Sequence, residues 1–564
     1  MPSFFNLILI FLQIYILAIF LSLSGYLLIK GFVNHKYQQR FEEDGLYGFI
    51  LIGFISVLQN YFVPLNLIYN SIIFFIITIV AVKFNFFRNN KKEIIKKSFI
   101  VTCISFLIII YSTVNRPDAW LYHLPYSNIL NEHKIILGVA NIHDRFAHIS
   151  IFQYISSFFY NYLFLYNGLL IPISLVAAFF FLFVYNEFKK NFFLKNSNIY
   201  SYFNFLILIL SLYAFNRYSE YGNDAQSHFF YFFLTILILR YVLVEKNIDT
   251  LKELFFISIF IFFTKPTFIV VLLISFFLFL NFKKKKDFLK SKSLIFSSIF
   301  FIIWIIKNIL TTGCFVYPLN FTCNDNILWK VNSLKENTLI NEAWSKGWPD
   351  QKEFKTFNKS EFIKDFNWIE TWINNHFVFV FEKILPVIIF FIVNFLLFYL
   401  SKGLKKNLYN KNLIYLFIFN FCFLLLWFLK FPVYRLGISQ IFLTITLFFY
   451  LIFFRNLDSK KIVSFYRYFN FFIIFVVITV LSKNLIRIYD NRLNTVMPNI
   501  FYNDKKNNQI IKLYDDQNNF TYYMPKNNNL CGYSISPCSQ SKNINLRVKT
   551  IFDYKIYYIN NLEN

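Results

Sequence analysis

Charged residues are scarce in this sequence. They make up 15% of its 564 residues, whereas apolar residues make up 57%. Glycine and proline are also few, with 13 residues each, while phenylalanine alone occurs 81 times. A water-soluble fold could not bury so much apolar surface, and many apolar runs approach the ~20 residues that cross a bilayer. The composition excludes a soluble globular protein and predicts an all-α polytopic membrane protein.

Acidic residues are outnumbered, 30 against 56 lysines and arginines, which gives a net charge of +26. The lysines cluster in short loops between apolar runs, as in the cytoplasmic loops of membrane proteins, so the charge does not indicate a nucleic-acid partner. Only 12 of the basic residues are arginines, so an arginine is stronger evidence for a site than a lysine. Residues 1–30 lack a basic start and a small-residue cleavage site, so we expect a retained span there.

Twelve apolar runs are long enough, or nearly so, to cross ~30 Å of hydrocarbon at ~1.5 Å per residue. They lie at about residues 4–29, 46–63, 66–83, 98–113, 168–185, 199–215, 227–244, 293–311, 377–400, 413–429, 437–454 and 468–483.

Residues 149–166 and 254–281 are ambiguous. The basic loops can share one side of the membrane only if 149–166 does not cross and forms an interfacial or re-entrant helix. Residues 254–281 must then go out and return as two short helices that meet at Thr264-Lys265-Pro266, where proline breaks the helix. We expect about 12–14 passes, 14 in the full count, with both termini outside. The basic loops are residues 83–97, 186–198, 281–293, 401–412 and 455–467.

This topology divides the chain into a transmembrane domain, residues 1–483, and a small extracytoplasmic domain, residues 484–564. The C-terminal domain should contain β-structure, because Phe520–Met524 and Val548–Ile559 are rich in residues that favour strands. The outer loops of the transmembrane domain are residues 114–150, 216–226 and 312–376.

Four of the six cysteines form two close pairs in outer segments, Cys314 with Cys323 and Cys531 with Cys538. Such pairs suit two disulfides in an oxidising compartment. The alternative is four reduced cysteines that face the cytoplasm. Their spacing matches no zinc motif.

The longest polar interruption in the first half of the chain is residues 114–150, which hold four of the seven histidines. Asp118 follows a predicted span by only a few residues. A carboxylate at that depth can act as a general base or bind a divalent ion that clamps a phosphate, and the alternative is a helix cap. His123 and His143 are open to three interpretations, as metal ligands, proton carriers or plain loop residues. His143 is five residues from His148, and His123 is five from Asp118, so neither pair has the i,i+4 spacing of a helical zinc site.

Two further residues are candidates for the same chemistry. Asp224, in the second short outer loop, could serve as a second acidic group, or it could cap the span that begins near Ser227. Lys265 lies at the tip of the broken helix pair. There it could hold a lipid-linked phosphate as a point charge, or extend to lipid headgroups.

The arginines are distributed against the general charge trend. Four of the twelve fall in or beside short outer segments, although cytoplasmic loops should carry the excess of positive charge. The planar guanidinium suits bidentate contacts with phosphate, and the alternative is chance combined with headgroup binding. The candidate phosphate clamp consists of Arg116, Arg145, Arg217 and Arg435.

Together these features resemble the GT-C membrane glycosyltransferases, which take sugars from polyprenyl-phosphate carriers. In that superfamily an early span precedes a large extracytoplasmic loop that begins with an acidic residue, as Asp118 does here, and contains interfacial helices, as residues 149–166 would. A Thr-Lys-Pro at the outer end of a helix pair is also typical and matches residues 264–266. An arginine near the outer end of a late span matches Arg435. The resemblance implies a GT-C-like fold.

A closer resemblance is to an uncharacterised bacterial GT-C-like membrane family and covers most of residues 98–550. Its Tyr-His-Leu-Pro block matches residues 122–125, which include Tyr122 and His123. Its Gly-x-Ala-Asn-x-His block matches residues 138–143, which end in His143. An Asn-to-Tyr-Pro block matches residues 308–318, and a Cys…Pro-Cys tail matches residues 531–538. Many GT-C enzymes have two adjacent acidic residues, whereas Arg116-Pro117-Asp118 offers one carboxylate. A divalent metal therefore stays open as a cofactor, and no other cofactor is implied.

Two functions follow from these patterns. The first is an inverting glycosyltransferase of a bacterial plasma membrane, in which Asp118 orients or deprotonates the acceptor and Lys265 and the arginines stabilise the leaving phosphate. Its partners are a polyprenyl-phosphate sugar donor, a glycan, lipid or protein acceptor, and membrane lipids. The second is a non-enzymatic transporter or assembly scaffold for lipid-linked glycans. A transporter should have polar groups along its spans, whereas ionisable residues here concentrate at the outer edge, which favours the enzyme.

Overall fold

Most of the described chain is helical. A computed structural model describes residues 4–34, 37–84, 86, 91–112, 118–192, 198–213, 221–222, 224–244, 246–332, 334–351, 357–400, 411–451, 466–501, 510–515, 517, 519–526 and 530–560. Within them, eight helices are long and apolar enough to cross a membrane, by length and composition. They are Phe4–Phe32, Phe41–Phe62, Asn167–Lys190, Asp224–Leu243, Lys292–Thr312, Ile369–Leu396, Lys411–Lys430 and Tyr468–Asp490.

Each of the twelve predicted spans overlaps a helix, since each apolar run satisfies its own backbone hydrogen bonds as a helix. In the first half the helices are α1 (Phe4–Phe32), α2 (Phe41–Phe62), α3 (Leu67–Lys83), α4 (Lys91–Ile109), α5 (Leu124–Glu132), α6 (Ile151–Phe158), α7 (Asn167–Phe192), α8 (Asn198–Tyr213), α9 (Asp224–Leu243), α10 (Ile248–Thr264) and α11 (Val270–Leu280). In the second half they are α12 (Lys285–Leu289), α13 (Lys292–Thr312), α14 (Leu334–Ser345), α15 (Lys359–Ile363), α16 (Ile369–Trp372), α17 (Val378–Leu400), α18 (Lys411–Lys430), α19 (Tyr434–Phe449) and α20 (Tyr466–Asp490).

The ambiguous segment 149–166 contains only α6, a helix of 8 residues. At ~1.5 Å per residue it is far too short to cross a bilayer. Its start is fixed by a capping box: the Ser150 side chain accepts from the Phe152 N–H, and the Ser150 N–H donates to Gln153. All 8 residues of the helix are buried. The segment is a short helix packed into the bundle.

The other ambiguous segment is two helices with a break between them, as the sequence predicts. α10 ends at Thr264, and Lys265 has extended backbone angles. Pro266 then opens a single 3-10 turn, Pro266–Ile269, which leads into α11. Proline suits the first turn of a helix because its missing N–H would have no partner there. The two helices pack against each other.

Two ends of the helical bundle can be distinguished by their neighbours. At the tail end, the Tyr554 hydroxyl donates to the carbonyl of Tyr61, near the last residue of α2. The opposite end is called the basic end, because the predicted basic loops 83–97 and 281–293 join helices there. α2 therefore runs from the basic end to the tail end, whereas α9 runs from the tail end to the basic end.

Ionisable groups are not concentrated at one end, and this expectation is wrong. Arg240 near the end of α9 contacts Glu43 at 2.9 Å and Glu187 at 3.3 Å, and Lys97 contacts Glu42 at 2.8 Å. α2 begins at Phe41, before the predicted start at residue 46, and so carries Glu42 and Glu43 into the packed bundle. The cause is ion pairing between helices, since a buried arginine is tolerated only when carboxylates surround it.

The C-terminal tail, residues 510–560, forms two antiparallel hairpins. The strand predicted at Phe520–Met524 lies in the first hairpin, and Val548–Ile559 covers most of the second. The hairpins pair β1 with β2 and β3 with β4, where the strands are β1 (Ile510–Tyr514), β2 (Phe520–Pro525), β3 (Leu546–Ile551) and β4 (Tyr554–Ile559).

The polar loop after α4 is held between the bundle and the tail. The Leu137 N–H donates to the Lys555 carbonyl, and the Tyr557 N–H donates back to Leu137, so this segment pairs with β4. Gly138 follows with a φ of 65°, in the left-handed region that favours glycine. A Cβ at this position would overlap the Tyr557 carbonyl oxygen. The Asn141 side chain then donates to the carbonyls of Trp329 and Tyr557 at 3.0 and 3.1 Å.

Both predicted disulfides are present. Cys314–Cys323 closes the turn that follows α13, and Cys531–Cys538 closes a loop of the tail. Within the tail loop, the Gly532 N–H donates to the carbonyl of Trp120. The disulfide therefore constrains a segment that touches the residues immediately after Asp118.

Gly138→Ala should loosen the tail, because alanine at a positive φ and against the β4 backbone costs about 1–3 kcal/mol. We expect a lower thermal midpoint and faster proteolysis within residues 510–560. Gly31→Ala is the matched control, since no atom lies within 4 Å of a Cβ there. Equal stability of both variants would contradict this account of the loop.

Peptide mapping without reductant should recover Cys314 linked to Cys323 and Cys531 linked to Cys538. Cys103 and Cys422 are free thiols in the structure and should be alkylated in the same denatured sample. Alkylation of all six cysteines before reduction would argue against both bonds and against an oxidising compartment for these loops.

Candidate functional site

Four charged side chains from four separate segments meet at the tail end of the bundle. Arg435 contacts Asp118 with both terminal nitrogens at 3.4 Å, and its Nε lies 3.7 Å from Asp224. The Lys265 ammonium donates to the other oxygen of Asp224 at 2.5 Å. These four residues are called the charge cluster. Sequence analysis named all of them, but it could not show that they touch.

Lys265 reaches Asp224 because the helix breaks at that residue. The Thr264 hydroxyl donates to the Ile261 carbonyl, and the Lys265 N–H donates to the same carbonyl, which together close α10. Extended backbone angles at Lys265 then turn its side chain out of the helix axis. The Thr-Lys-Pro sequence therefore supplies a cap, a cation and a stop in consecutive positions.

Arg435 is held by the turn that precedes it. The indole N–H of Trp372 donates to the Pro432 carbonyl at 2.8 Å, and that of Trp427 donates to the Val433 carbonyl at 3.0 Å. From α9, His228 lies 2.8 Å from the Arg435 carbonyl and 2.7 Å from the Ser439 hydroxyl. Three ring systems thus fix the first turn of α19, so the guanidinium projects from a rigid support.

Neither carboxylate of the charge cluster caps a helix. Asp118 precedes a single π-helical turn, Ala119–His123, but its side chain makes no capping hydrogen bond. Asp224 is itself the first residue of α9 and faces Lys265 and Arg435. The capping alternatives considered for both residues therefore do not describe these side chains.

Tyr122 and Arg145 border the charge cluster. The guanidinium of Arg145 lies 5.9 Å from the centre of the Tyr122 ring. Burial raises the pKa of the Tyr122 phenol, and the nearby Asp118 carboxylate raises it further, so the phenol stays protonated and can donate. Arg145 also contacts Asp144 at 4.0 Å, and its side chain is 39% exposed.

His123 is buried beside the charge cluster and is neutral. Gln153 uses its Oε1 in the capping box of α6, so its amide nitrogen must face the Nδ1 of His123, 2.6 Å away. Nδ1 then accepts, and the proton of the neutral ring lies on Nε2, on the side of Gly222. Burial lowers the pKa of His123 to about 4, because it disfavours the imidazolium.

His143 is not part of this arrangement. The Nδ1 of His143 accepts from the Arg145 N–H at 3.1 Å, which caps the short turn Asp144–Ala147. It therefore shapes the loop that carries Arg145. Arg116 and Arg217 lie outside the described residues. The proposed phosphate clamp is thus represented by Arg435 in the charge cluster and Arg145 at its edge.

A metal site does not fit the charge cluster. Its two carboxylates already face a guanidinium and an ammonium group. Over the residues that the structure describes, three or more histidine, cysteine or acidic side chains do not come together as metal ligands.

Sequence analysis missed His228 and Gln153, which hold Arg435 and His123. His228 lies four residues after Asp224 and so shares its helix face, a signal that the sequence did contain. Gln153 gave no comparable signal, because its role depends on the fold of residues 118–150 over α6. Both residues are buried, at 5% and 2% exposure.

The charge cluster is not sealed within the bundle. Its side chains are partly accessible, at 33% for each carboxylate, 37% for Arg435 and 18% for Lys265. The two positive and two negative charges balance, but the two carboxylates differ in how many cations each one contacts. Among the described residues, Asp224 contacts two cations, whereas Asp118 contacts Arg435 alone, at 3.4 Å. In this part of the chain Asp118 thus has fewer cationic contacts than Asp224.

Of the comparisons with known proteins, one gives a match. No curated protein and no solved structure matches the chain. A family model described as a domain of unknown function (DUF8201) matches residues 7–442, which is well over half of the chain. The match includes the whole charge cluster and ends before the tail. The chain therefore belongs to the DUF8201 family.

Proposed function

We propose that this chain is a polytopic membrane glycosyltransferase of the GT-C type, which uses a polyprenyl-phosphate sugar donor at the extracytoplasmic face of a bacterial plasma membrane. It would serve the assembly of cell-surface glycans or glycolipids. The observation that carries the proposal is the charge cluster, where Asp118 meets Arg435, Asp224 and Lys265 at one end of an apolar helical bundle.

The depth of the charge cluster suits a lipid-borne donor. Asp224 and Arg435 stand in the first turns of α9 and α19, and Lys265 stands at the tip between α10 and α11. If these helices cross the membrane, as 14 passes in total would require, the cluster lies near the headgroup plane. A polyprenyl phosphate carries its charge at that plane, while an acceptor arrives from water.

In the proposed reaction Asp118 accepts the proton of an acceptor hydroxyl. The acceptor oxygen attacks the anomeric carbon and forms a new glycosidic bond with inversion. The bond from that carbon to the phosphate oxygen breaks, and polyprenyl phosphate leaves with the electron pair. Lys265 and Arg435 stabilise the charge that develops on the phosphate, which is electrostatic catalysis by preorganised groups.

Asp224 acts in this proposal as a positioning residue. It contacts both cations, and its removal would leave two positive side chains close together with only Asp118 to separate them. Tyr122, protonated and beside the charge cluster, can donate to the acceptor or the donor sugar. His123, neutral with its proton on Nε2, lies beside the Tyr221–Gly222 segment that precedes Asp224.

A transporter or scaffold for lipid-linked glycans is the second candidate. The buried ion pairs of Arg240 with Glu43 and Glu187 favour it, because they place charges inside the bundle at the basic end. Each of these carboxylates already has a cationic partner, so the ion pairs are stably neutralised. A transport path would also need polar groups between the two ends, where α9 is apolar over Phe229–Leu239 apart from Tyr231 and Thr235.

Asp118→Asn should abolish transfer with the fold intact, since the amide keeps the shape of the side chain and cannot accept the proton. A loss of roughly 10²–10⁴-fold is expected for a general base. The measurement is release of polyprenyl phosphate from a panel of polyprenyl-phosphate hexoses by membranes that contain the protein. Asp325→Asn is the control, because that carboxylate is 84% exposed and pairs only with Lys330. Undiminished release by Asp118→Asn would eliminate the mechanism.

Lys265→Ala should mainly weaken use of the donor. Loss of one charged hydrogen bond costs about 1.5–3 kcal/mol, or roughly 10- to 150-fold in kcat/KM for the donor. Lys330→Ala, at a lysine that is similarly exposed and pairs with Asp325, should have no such effect. If kcat/KM for the acceptor fell while that for the donor stayed constant, Lys265 would not be a phosphate ligand.

Labelling tests the membrane arrangement. In a background with Cys103 and Cys422 replaced by serine, Phe552→Cys should react with an impermeant maleimide in intact cells, since Phe552 is 91% exposed. Lys92→Cys, in a predicted cytoplasmic loop, should react only after permeabilisation. Reaction of both cysteines from the same side would refute the topology and the outer location of the charge cluster.

A further inference from the structure

A second concave site lies along α5, beyond the charge cluster. It is a groove of about 610 Å³ between the start of α3, the turn after α6 and the tail, a volume that suits a small ligand. α5 joins the two sites, since the π-helical turn Ala119–His123 leads from Asp118 into α5 and Glu132 is the last residue of α5. The two residues are 14 positions apart, or about 21 Å along a helical segment.

Aromatic rings form one wall of the groove. Tyr166 is the centre of the set, with its ring 5.4 Å from Tyr160, 5.2 Å from Phe501 and 5.6 Å from Tyr533. Tyr162 is 62% exposed beside them. Ring faces of this kind are suited to the C–H faces of sugars, which combine apolar and polar surface.

Polar groups form the opposite wall. Asn131 accepts from the Tyr533 hydroxyl at 3.1 Å and donates to the Ser157 carbonyl, so its position is fixed. The Asn128 side chain donates to the Ser534 carbonyl. The Ser534 hydroxyl is enclosed and has no hydrogen-bond partner among the described residues, and the Glu132 carboxylate lies at the rim. Of these groups, the exposed Glu132 carboxylate can accept hydrogen bonds from the hydroxyls of a bound saccharide.

The charge of the groove restricts the chemical class of ligand that can bind there. In a chain with a net charge of +26, the groove-lining residues that the structure describes include no lysine or arginine, and they do include Glu132. These residues therefore offer a phosphate group no ammonium or guanidinium partner. Ile68 at the mouth is 54% exposed and continues into the exposed apolar face of α3, which includes Ile72 and Phe75. The ligand should therefore have an uncharged polar head and an apolar anchor.

We propose that this groove binds the saccharide head of an uncharged glycolipid, with its sugar rings on the tyrosine wall and its lipid chains along α3. The tail loop closed by Cys531–Cys538 flanks both sites, because Gly532 bonds to Trp120 and Tyr533 bonds to Asn131. That the bound saccharide is the acceptor of transfer rests on the function proposed above, whereas the binding itself does not.

Native mass spectrometry of the full chain can test the proposal. The protein is extracted from vesicles that contain equal amounts of diglucosyldiacylglycerol, phosphatidylcholine and phosphatidylglycerol. The wild-type protein should retain diglucosyldiacylglycerol in preference to both phospholipids. Tyr162→Ala and Glu132→Gln should each lower its occupancy roughly threefold to tenfold. Tyr489→Ala, an exposed tyrosine of α20 outside the groove, should retain it as the wild type does.

Retention of phosphatidylcholine to the same extent would show an ordinary lipid groove and overturn the proposal. Equal occupancy in the wild type and both groove variants would do the same. Tyr162 and Glu132 are exposed, so their substitution should leave the fold intact, which the two disulfides report. Asp118→Asn should retain the glycolipid fully. Loss of transfer without loss of retention in that variant separates a failure of the groove from a failure of the proposed reaction.

Discussion

The Lys265 ammonium has to be neutralised at the point where the chain turns back between α10 and α11, and Asp224 does this at 2.5 Å. A cation at the end of an apolar helix pair is costly without such a partner. The same carboxylate contacts Arg435, which in turn contacts Asp118. Four segments of the chain are thereby joined through one alternating set of charges. The bends, caps and indole contacts around them serve to hold this set in place.

The tail is connected to the charge cluster through its contacts with the polar loop that follows Asp118. β4 pairs with Leu137, Asn141 bonds to Tyr557, and the disulfide loop contacts Trp120, so the polar loop is fixed from outside as well as from the bundle. The motif residues Gly138 and Asn141 are explained by this contact, since only glycine fits beneath the Tyr557 carbonyl. The family match ends at residue 442, before the tail. The tail nevertheless contacts the polar loop, which lies within the matched region.

Hydropathy and charge predicted the helices well, because an apolar run of sufficient length has few other structures available. The break at Lys265-Pro266 was equally predictable from proline chemistry. The ion pairs of Arg240 were not, because their partners lie on α2 and α7, and pairing across 197 residues leaves no local pattern. For the same reason the sequence could name Asp118, Asp224, Lys265 and Arg435 as candidates but could not distinguish a catalytic carboxylate from a positioning one.

That distinction comes from how Arg435 is shared. Two carboxylates share the guanidinium of Arg435. Asp224 also contacts Lys265, so the ion-pair interactions of Asp118 in the charge cluster are the weaker. In the proposed reaction an incoming phosphate would take hydrogen-bond donors from both cations. Asp224 would keep part of its interaction with Lys265, whereas Asp118 would lose its only contact in the charge cluster. The base would then be released from its ion pair by the binding of the donor, which would tie proton transfer to the presence of a leaving group.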